Sequence, residues 1–139
     1  MHKALRLLSL LDRLSPPTAV EAHCDLPCGV YDPAQARIEA ESVKAIMEKF
    51  NDSDDDVFKT RCVVIKEQRA DLVKHHLWVL WTDYFKPPHL EAYPELHQLF
   101  WQATKAAGQA KQTSDVKVAE DLLNQIAEID KIFWATKKA

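Results

Sequence analysis

"DPAQARIEAESVKAIMEKF", residues 32–50, decides the architecture of this chain. Asp32 stands at an N-cap position, Pro33 takes the first helical position, and Gln35 follows the cap by three residues, a capping-box pattern. Behind that start signal, Ala36, Ala40, Val43, Met47 and Phe50 recur at spacings of three and four. Such spacing lines one face of an α-helix. A helix with one apolar face has to bury it against another element.

The rest of the chain offers three more helices. The acidic linker "NDSDDD" (51–56) ends the first and caps the next. A long helix is predicted from Val57 to Phe85, roughly 40 Å at the helical rise. Phe58, Cys62, Ile65, Leu72, His76, Leu80 and Tyr84 lie near one stripe of it. Arg69 falls on that same stripe, and a charge on an apolar face needs a partner or a route to water. Glu39 flanks the apolar face of the first helix, so a Glu39–Arg69 pair between the helices is expected. "KPPH" (86–89) breaks the chain. A third helix starts at Pro94, with Leu96, Leu99, Phe100, Ala103 and Ala107 on one face. "GQAKQTSD" (108–115) is a linker in which Ser114 or Asp115 caps a fourth helix, striped by Ala119, Leu122, Ile126, Ile129 and Phe133. Four amphipathic helices with short connections predict an all-α, antiparallel up-down four-helix bundle.

Composition agrees with that reading. The 139 residues are 47% hydrophobic and 28% charged, enough for one domain with a core, and only two glycines interrupt helix formation. A formal net charge of −3 argues against nucleic acid or a membrane surface as partner. No apolar run is long enough to span a bilayer.

The chemistry is concentrated ahead of the first helix, in "HCDLPCGVY" (23–31). Cys24 and Cys28 can chelate one metal, with the His23 imidazole within reach. A labile disulfide or two free thiols is the alternative. Zinc fits poorly, because no second Cys/His pair follows. Cys62, the third cysteine, reads as a small buried hydrophobe. If the chain began at His23, its α-amine, the Cys24 backbone nitrogen and the two thiolates would form a planar N2S2 set. Such a set suits nickel(II) or copper(II). The His23 imidazole would then be a fifth, axial ligand of a redox centre.

The leading residues 1–22 therefore matter. "MHKALRLLSLLDRL" (1–14) can form a short amphipathic helix, stopped by "SPPT" (15–18). It is either a helix packed on the body or a removable leader that unmasks the His23 amine. Export is disfavoured, because Arg6, Asp12 and Arg13 interrupt the apolar run. Bare thiolates favour a reducing compartment, the cytoplasm.

"HCDLPCGVYDPAQARIEAESV" (23–43) resembles the nickel-binding hook and first helix of nickel-containing superoxide dismutases. "VIKEQRADLVKHH" (64–76), "WTDYFKPPH" (81–89), "YPELHQL" (93–99) and "IAEIDKIFWATKKA" (126–139) are similar to that family too. The similarity runs from His23 to Ala139, with no departure at any hook position. It implies a leader of residues 1–22, cut between Ala22 and His23 by a maturation protease, and a four-helix-bundle domain of residues 23–139 with its hook at 23–31. It implies a homohexamer with one nickel ion per subunit. The ligands implied are the His23 amine and imidazole, the Cys24 amide and thiolate, and the Cys28 thiolate. Asp25 and Pro27 belong to the hook, and Pro27 shapes it through a cis bond. Tyr31 lines the pocket on the open side of the metal, and Tyr84 stands near the Tyr31 hydroxyl. Glu39 hydrogen-bonds the axial imidazole and Arg69 supports Glu39.

The activity implied is disproportionation of superoxide to oxygen and hydrogen peroxide through a Ni(II)/Ni(III) couple. A nickel or copper carrier using the same hook without catalysis is the alternative. Residues 1–22 hold three cations against two acids, so their removal takes the formal charge from −3 to −4. An anionic substrate then needs local cations to focus it, and Lys86 and Lys74 are candidates. The adjacent His75 and His76 do not form a ligand pair. His89 and His97 have no helical partner for a metal, and Trp78, Trp81, Trp101 and Trp134 read as core and subunit-contact residues.

Overall fold

The computed structural model describes residues 29–138. The leader, its expected amphipathic helix and the hook up to Cys28 lie outside the described residues. Five helices follow in chain order: α1 (Ala34–Asn51), α2 (Asp56–Val79), a short α3 (Pro87–Ala92), α4 (Leu96–Gln112) and α5 (Val116–Lys138). α1 packs on α2 and α5, and α4 packs on the same two, so the four long helices form a ring around one core. The described helices include none long and apolar enough to cross a membrane.

Four of the five helix starts have a visible cause, whereas α4 begins without a side-chain cap. Asp32 Oδ1 accepts the Ala34 N–H at 2.8 Å, while the Gln35 half of the expected capping box is not formed among the described residues. Asp55 Oδ1 accepts from Val57 and Phe58, satisfying two orphan donors of α2. Asp115 Oδ1 accepts from Lys117 at the start of α5. The two prolines expected only to break the chain also begin something: Pro87 and Pro88 open α3, where a missing N–H costs nothing.

The packing is antiparallel. Asn51, ending α1, hydrogen-bonds Ser114, just before α5. Lys111, near the end of α4, pairs with Asp71 in α2 at 2.5 Å. Seven alanines (36, 40, 70, 103, 107, 110 and 119) are fully buried, which lets the backbones approach closely. The core splits into two layers. One end holds Val43, Met47, Ala70, Ala110 and Ala119. The other is aromatic and aliphatic, with Leu77, Phe85, Phe100, Ile126 and Phe133 at its heart.

The stripes expected on α1, α4 and α5 are the buried ones, except that Phe50 and Leu99 are only half-buried. The face of α2 differs. Its buried residues are Cys62, Lys66, Ala70, Val73 and Leu77, followed by Leu80, whereas Phe58 and Ile65 are exposed and Leu72 and His76 half-buried. Val57, Val63 and Val64 are exposed too, so apolar residues fall on both the core and the solvent face of the first half of α2, which blurs its periodic signal. Lys66 takes a core position because its ammonium finds carbonyls: it donates to Lys111 O at 3.2 Å and to Thr113 O, closing the end of α4. Burial pushes its pKa down, against a smaller upward pull from Glu67.

Two further boundaries moved. α4 runs through Gly108 to Gln112 rather than stopping at the glycine. α2 does not continue regularly to Phe85, because residues Leu80–Tyr84 widen into a π-helical turn, closed by a Phe85 N–H bond to Leu80 O at 3.0 Å. Thr82 Oγ1 donates back to the Trp78 carbonyl in this turn, a competing bond of the kind that bends helices.

Ile126, 1% exposed, is central to the aromatic layer. Ile126→Ala is expected to cost about 2–5 kcal/mol from lost burial plus a cavity, read as a lower urea midpoint at unchanged m-value.

Candidate metal centre and its cleft

The end of the bundle nearest the hook holds a cleft of about 470 Å³, lined by Gly29, Tyr31, Asp83, Tyr84, Lys86, His89, Thr136 and Lys137. Four chain segments meet there: the end of the hook, the π turn, α3 and the last turn of α5. The π turn and the extended Phe85 after it bring Tyr84 and Phe85 to bear on α5 together.

Tyr84 is the hub. Its ring lies 4.4 Å from that of Phe133, 5.0 Å from Phe85 and 5.7 Å from Tyr31. His89 stacks on it at 5.6 Å and 21°. The Tyr84 and Thr136 hydroxyls are 2.7 Å apart. Thr136 has one hydroxyl proton, which goes to the Phe133 carbonyl at 2.7 Å, so Tyr84 is the donor and Thr136 the acceptor. His89 Nδ1 accepts the Lys86 backbone N–H at 3.2 Å, which places a neutral ring's proton on Nε2.

Lys137 completes the wall. Its Nζ donates to the Gly29 carbonyl at 3.1 Å and sits 5.7 Å from the Tyr84 ring centre and 5.4 Å from that of Phe133. Among the described lining residues, Lys86 and Lys137 face one carboxylate, that of Asp83.

Of the residues singled out from sequence, the structure brings Tyr31, Tyr84 and Lys86 together in this cleft. It places Glu39 and Arg69 against each other but not in the cleft lining: Arg69 Nη1 is 3.3 and 3.2 Å from the two Glu39 oxygens. Glu39 is the more buried partner, its side chain 16% exposed against 40% for Arg69. His76 lies within electrostatic range of Glu39. Its pKa is lowered, first by burial and then by repulsion from His75, with the Glu39 carboxylate pulling the other way. Lys74 lies apart, over the Trp78 ring and against Gly108 of α4, so it does not line the cleft. His23, Cys24, Asp25, Pro27 and Cys28 lie outside the described residues. Among the described residues no group of three His, Cys, Asp or Glu is arranged to hold a metal ion.

Sequence reasoning missed Thr136, Lys137 and His89. Their roles are contacts between distant segments, and no local periodicity marks them. The only available sign was that "WATKK" places two lysines past the last buried residue of α5.

Four long helices packed around one core define an all-α protein of the four-helix-bundle class. Comparison with known proteins narrows the class. The family model for nickel-containing superoxide dismutases matches residues 18–137. "Superoxide dismutase [Ni]" of Streptomyces coelicolor is 63% identical over 131 residues, covering 94% of this chain and all of that protein. The protein of the same description from Streptomyces seoulensis is 64% identical over the same span. The native crystal structure of a nickel superoxide dismutase superposes with a TM-score of 0.82 at 66% identity, covering 84% of this chain and all of that one. The chain belongs to the nickel-containing superoxide dismutase family.

His76 offers a direct check of the electrostatics around Glu39. Its imidazole should titrate below 6.5 by NMR, and lower still in Glu39→Gln, which removes the upward pull. A midpoint at or above 6.5 in the wild type contradicts the burial argument.

Proposed function

We propose that this chain disproportionates superoxide at a nickel ion held by the N-terminal hook: two superoxide ions and two protons become dioxygen and hydrogen peroxide. The observation that carries the reading is family membership at 63–64% identity across the whole length of its relatives. The donor set fits the metal. Cys24 and Cys28 supply two thiolates, and His23 supplies an amine and an imidazole once it is the first residue. With the Cys24 amide nitrogen these give the N/S donors that nickel(II) favours. Bound there, nickel would supply a one-electron couple between its +2 and +3 states, the redox chemistry that disproportionation needs.

The chain's own residues do the rest. Thiolate and amide donation from Cys24 and Cys28 stabilises the higher oxidation state and so lowers the potential of the couple. Asp25 and Pro27 set the course of the hook between its two thiols. Lys86 and Lys137 draw the anion toward the cleft, and Tyr31 and Tyr84 narrow its approach. Glu39 orients the His23 imidazole and Arg69 holds Glu39, an outer-shell arrangement that fixes a histidine ligand.

Residues 1–22 keep the amine blocked until a protease cuts between Ala22 and His23. Coverage supports this: solved relatives are matched in full by 84% of this chain, whereas the Streptomyces relatives use 94% of it. The mature chains assemble as homohexamers. Val57, Val64, Ile38, Trp78, Trp101 and Trp134 are all more than 40% exposed, apolar surface that a subunit interface would cover. The hook thiolates fit a cytoplasmic setting.

A nickel carrier needs the ligands but not the groups around the imidazole. Glu39→Gln is therefore expected to lower kcat/KM for superoxide roughly tenfold while leaving the nickel content unchanged. An unaltered rate in pulse radiolysis would remove Glu39 from the machinery. In the same assay, nickel-treated protein beginning at Met1 should be inactive and protein beginning at His23 active. Equal rates contradict the amine-ligand assignment.

A further inference from the structure

We infer that Lys137 is a positioning residue for the metal centre, the clamp that ties the base of the hook to the body of the bundle. The inference rests on the hook being the nickel site, as proposed above.

Gly29 directly follows Cys28, so its carbonyl is the nearest described backbone acceptor beyond the second thiolate. Its φ of +68° lies in the left-handed region, which strains any residue with a Cβ. A Cβ there would meet nothing within 4 Å, so glycine is required by the backbone conformation and not by crowding. In that conformation the carbonyl accepts from Lys137 Nζ at 3.1 Å. The lysine is restrained in its turn. It sits over the rings of Phe133 and Tyr84, and it belongs to the last turn of α5, where the helix dipole favours a cation.

The result is a chain of fixed points. Phe133 and Thr136 of α5 fix Tyr84, Tyr84 and Phe133 hold the Lys137 ammonium, and Lys137 holds the Gly29 carbonyl, one residue beyond Cys28. The hook spans few residues and has no secondary structure from Gly29 to Tyr31 to stiffen it. A clamp at its base restricts where the Cys28 thiolate can sit relative to the rest of the donor set. A lysine acting only through its charge on the approaching anion would instead alter how the rate depends on ionic strength and leave the metal undisturbed.

The test uses the nickel-loaded holoenzyme. Lys137→Met keeps the aliphatic stem over the rings and removes the donor, and Lys137→Arg restores a donor. Two readouts are nickel release to a competing chelator and the thiolate-to-nickel charge-transfer absorption. Lys137→Met is expected to release nickel roughly tenfold faster, with a shifted absorption, and Lys137→Arg to recover most of both. Thermal unfolding of the apo variants should match that of the wild type. Release and absorption unchanged in Lys137→Met overturn the clamp. A wild-type protein that shows no thiolate–nickel absorption overturns the hook reading itself, and the clamp with it.

Discussion

The hook end of this molecule depends on how Tyr84 is held. One side chain is packed by Phe133, Phe85, His89 and Tyr31, and its hydroxyl is spent on Thr136. Those neighbours come from the π turn, from α3, from the last turns of α5 and from the segment that leaves the hook. A bundle built only of regular helices would end in frayed turns here. The widened turn at Leu80–Tyr84 and the extended Phe85 close it with an aromatic layer. Tyr31 and Gly29, described residues that follow Cys28, pack and hydrogen-bond against that layer.

The two ends of the bundle are built differently for that reason. The far end is sealed with alanines, valine and methionine, and with the Lys66 ammonium on the carbonyls that finish α4. It is compact and carries no chemistry assigned to the reaction. The near end spends its volume on rings, and two tyrosines and a histidine of that layer line the cleft. Glu39 forms a second polar pair with Arg69, outside the cleft lining, and its charge reaches His76.

Much of this was legible in the residues, for identifiable reasons. α5 alternates buried aliphatics with charges so regularly that each position of its stripe, from Ala119 to Phe133, is buried. The Glu39–Arg69 contact followed from one charge flanking the apolar stripe of α1 and another lying on the stripe read for α2. α2 failed the same method because its solvent face carries Val57, Val63, Val64 and Ile65 while its core face carries a lysine. Burial of Lys66 is explained only by carbonyls 45 and 47 positions away. The π turn leaves no mark in a 3.6-residue period, and Thr136, Lys137 and His89 acquire meaning only when distant segments meet. The hook was the opposite case: its identity is written in residue types, and its geometry lies outside the described residues.

The central claim is that a histidine made terminal by cleavage, together with two thiolates, holds one nickel ion. A native mass spectrum of the protein from its own source reads the first residue, the metal and the subunit number at once. The account predicts six chains beginning at His23 with one nickel each. Nickel bound by chains that still begin at Met1, or His23 chains carrying zinc or a Cys24–Cys28 disulfide in place of nickel, would contradict it.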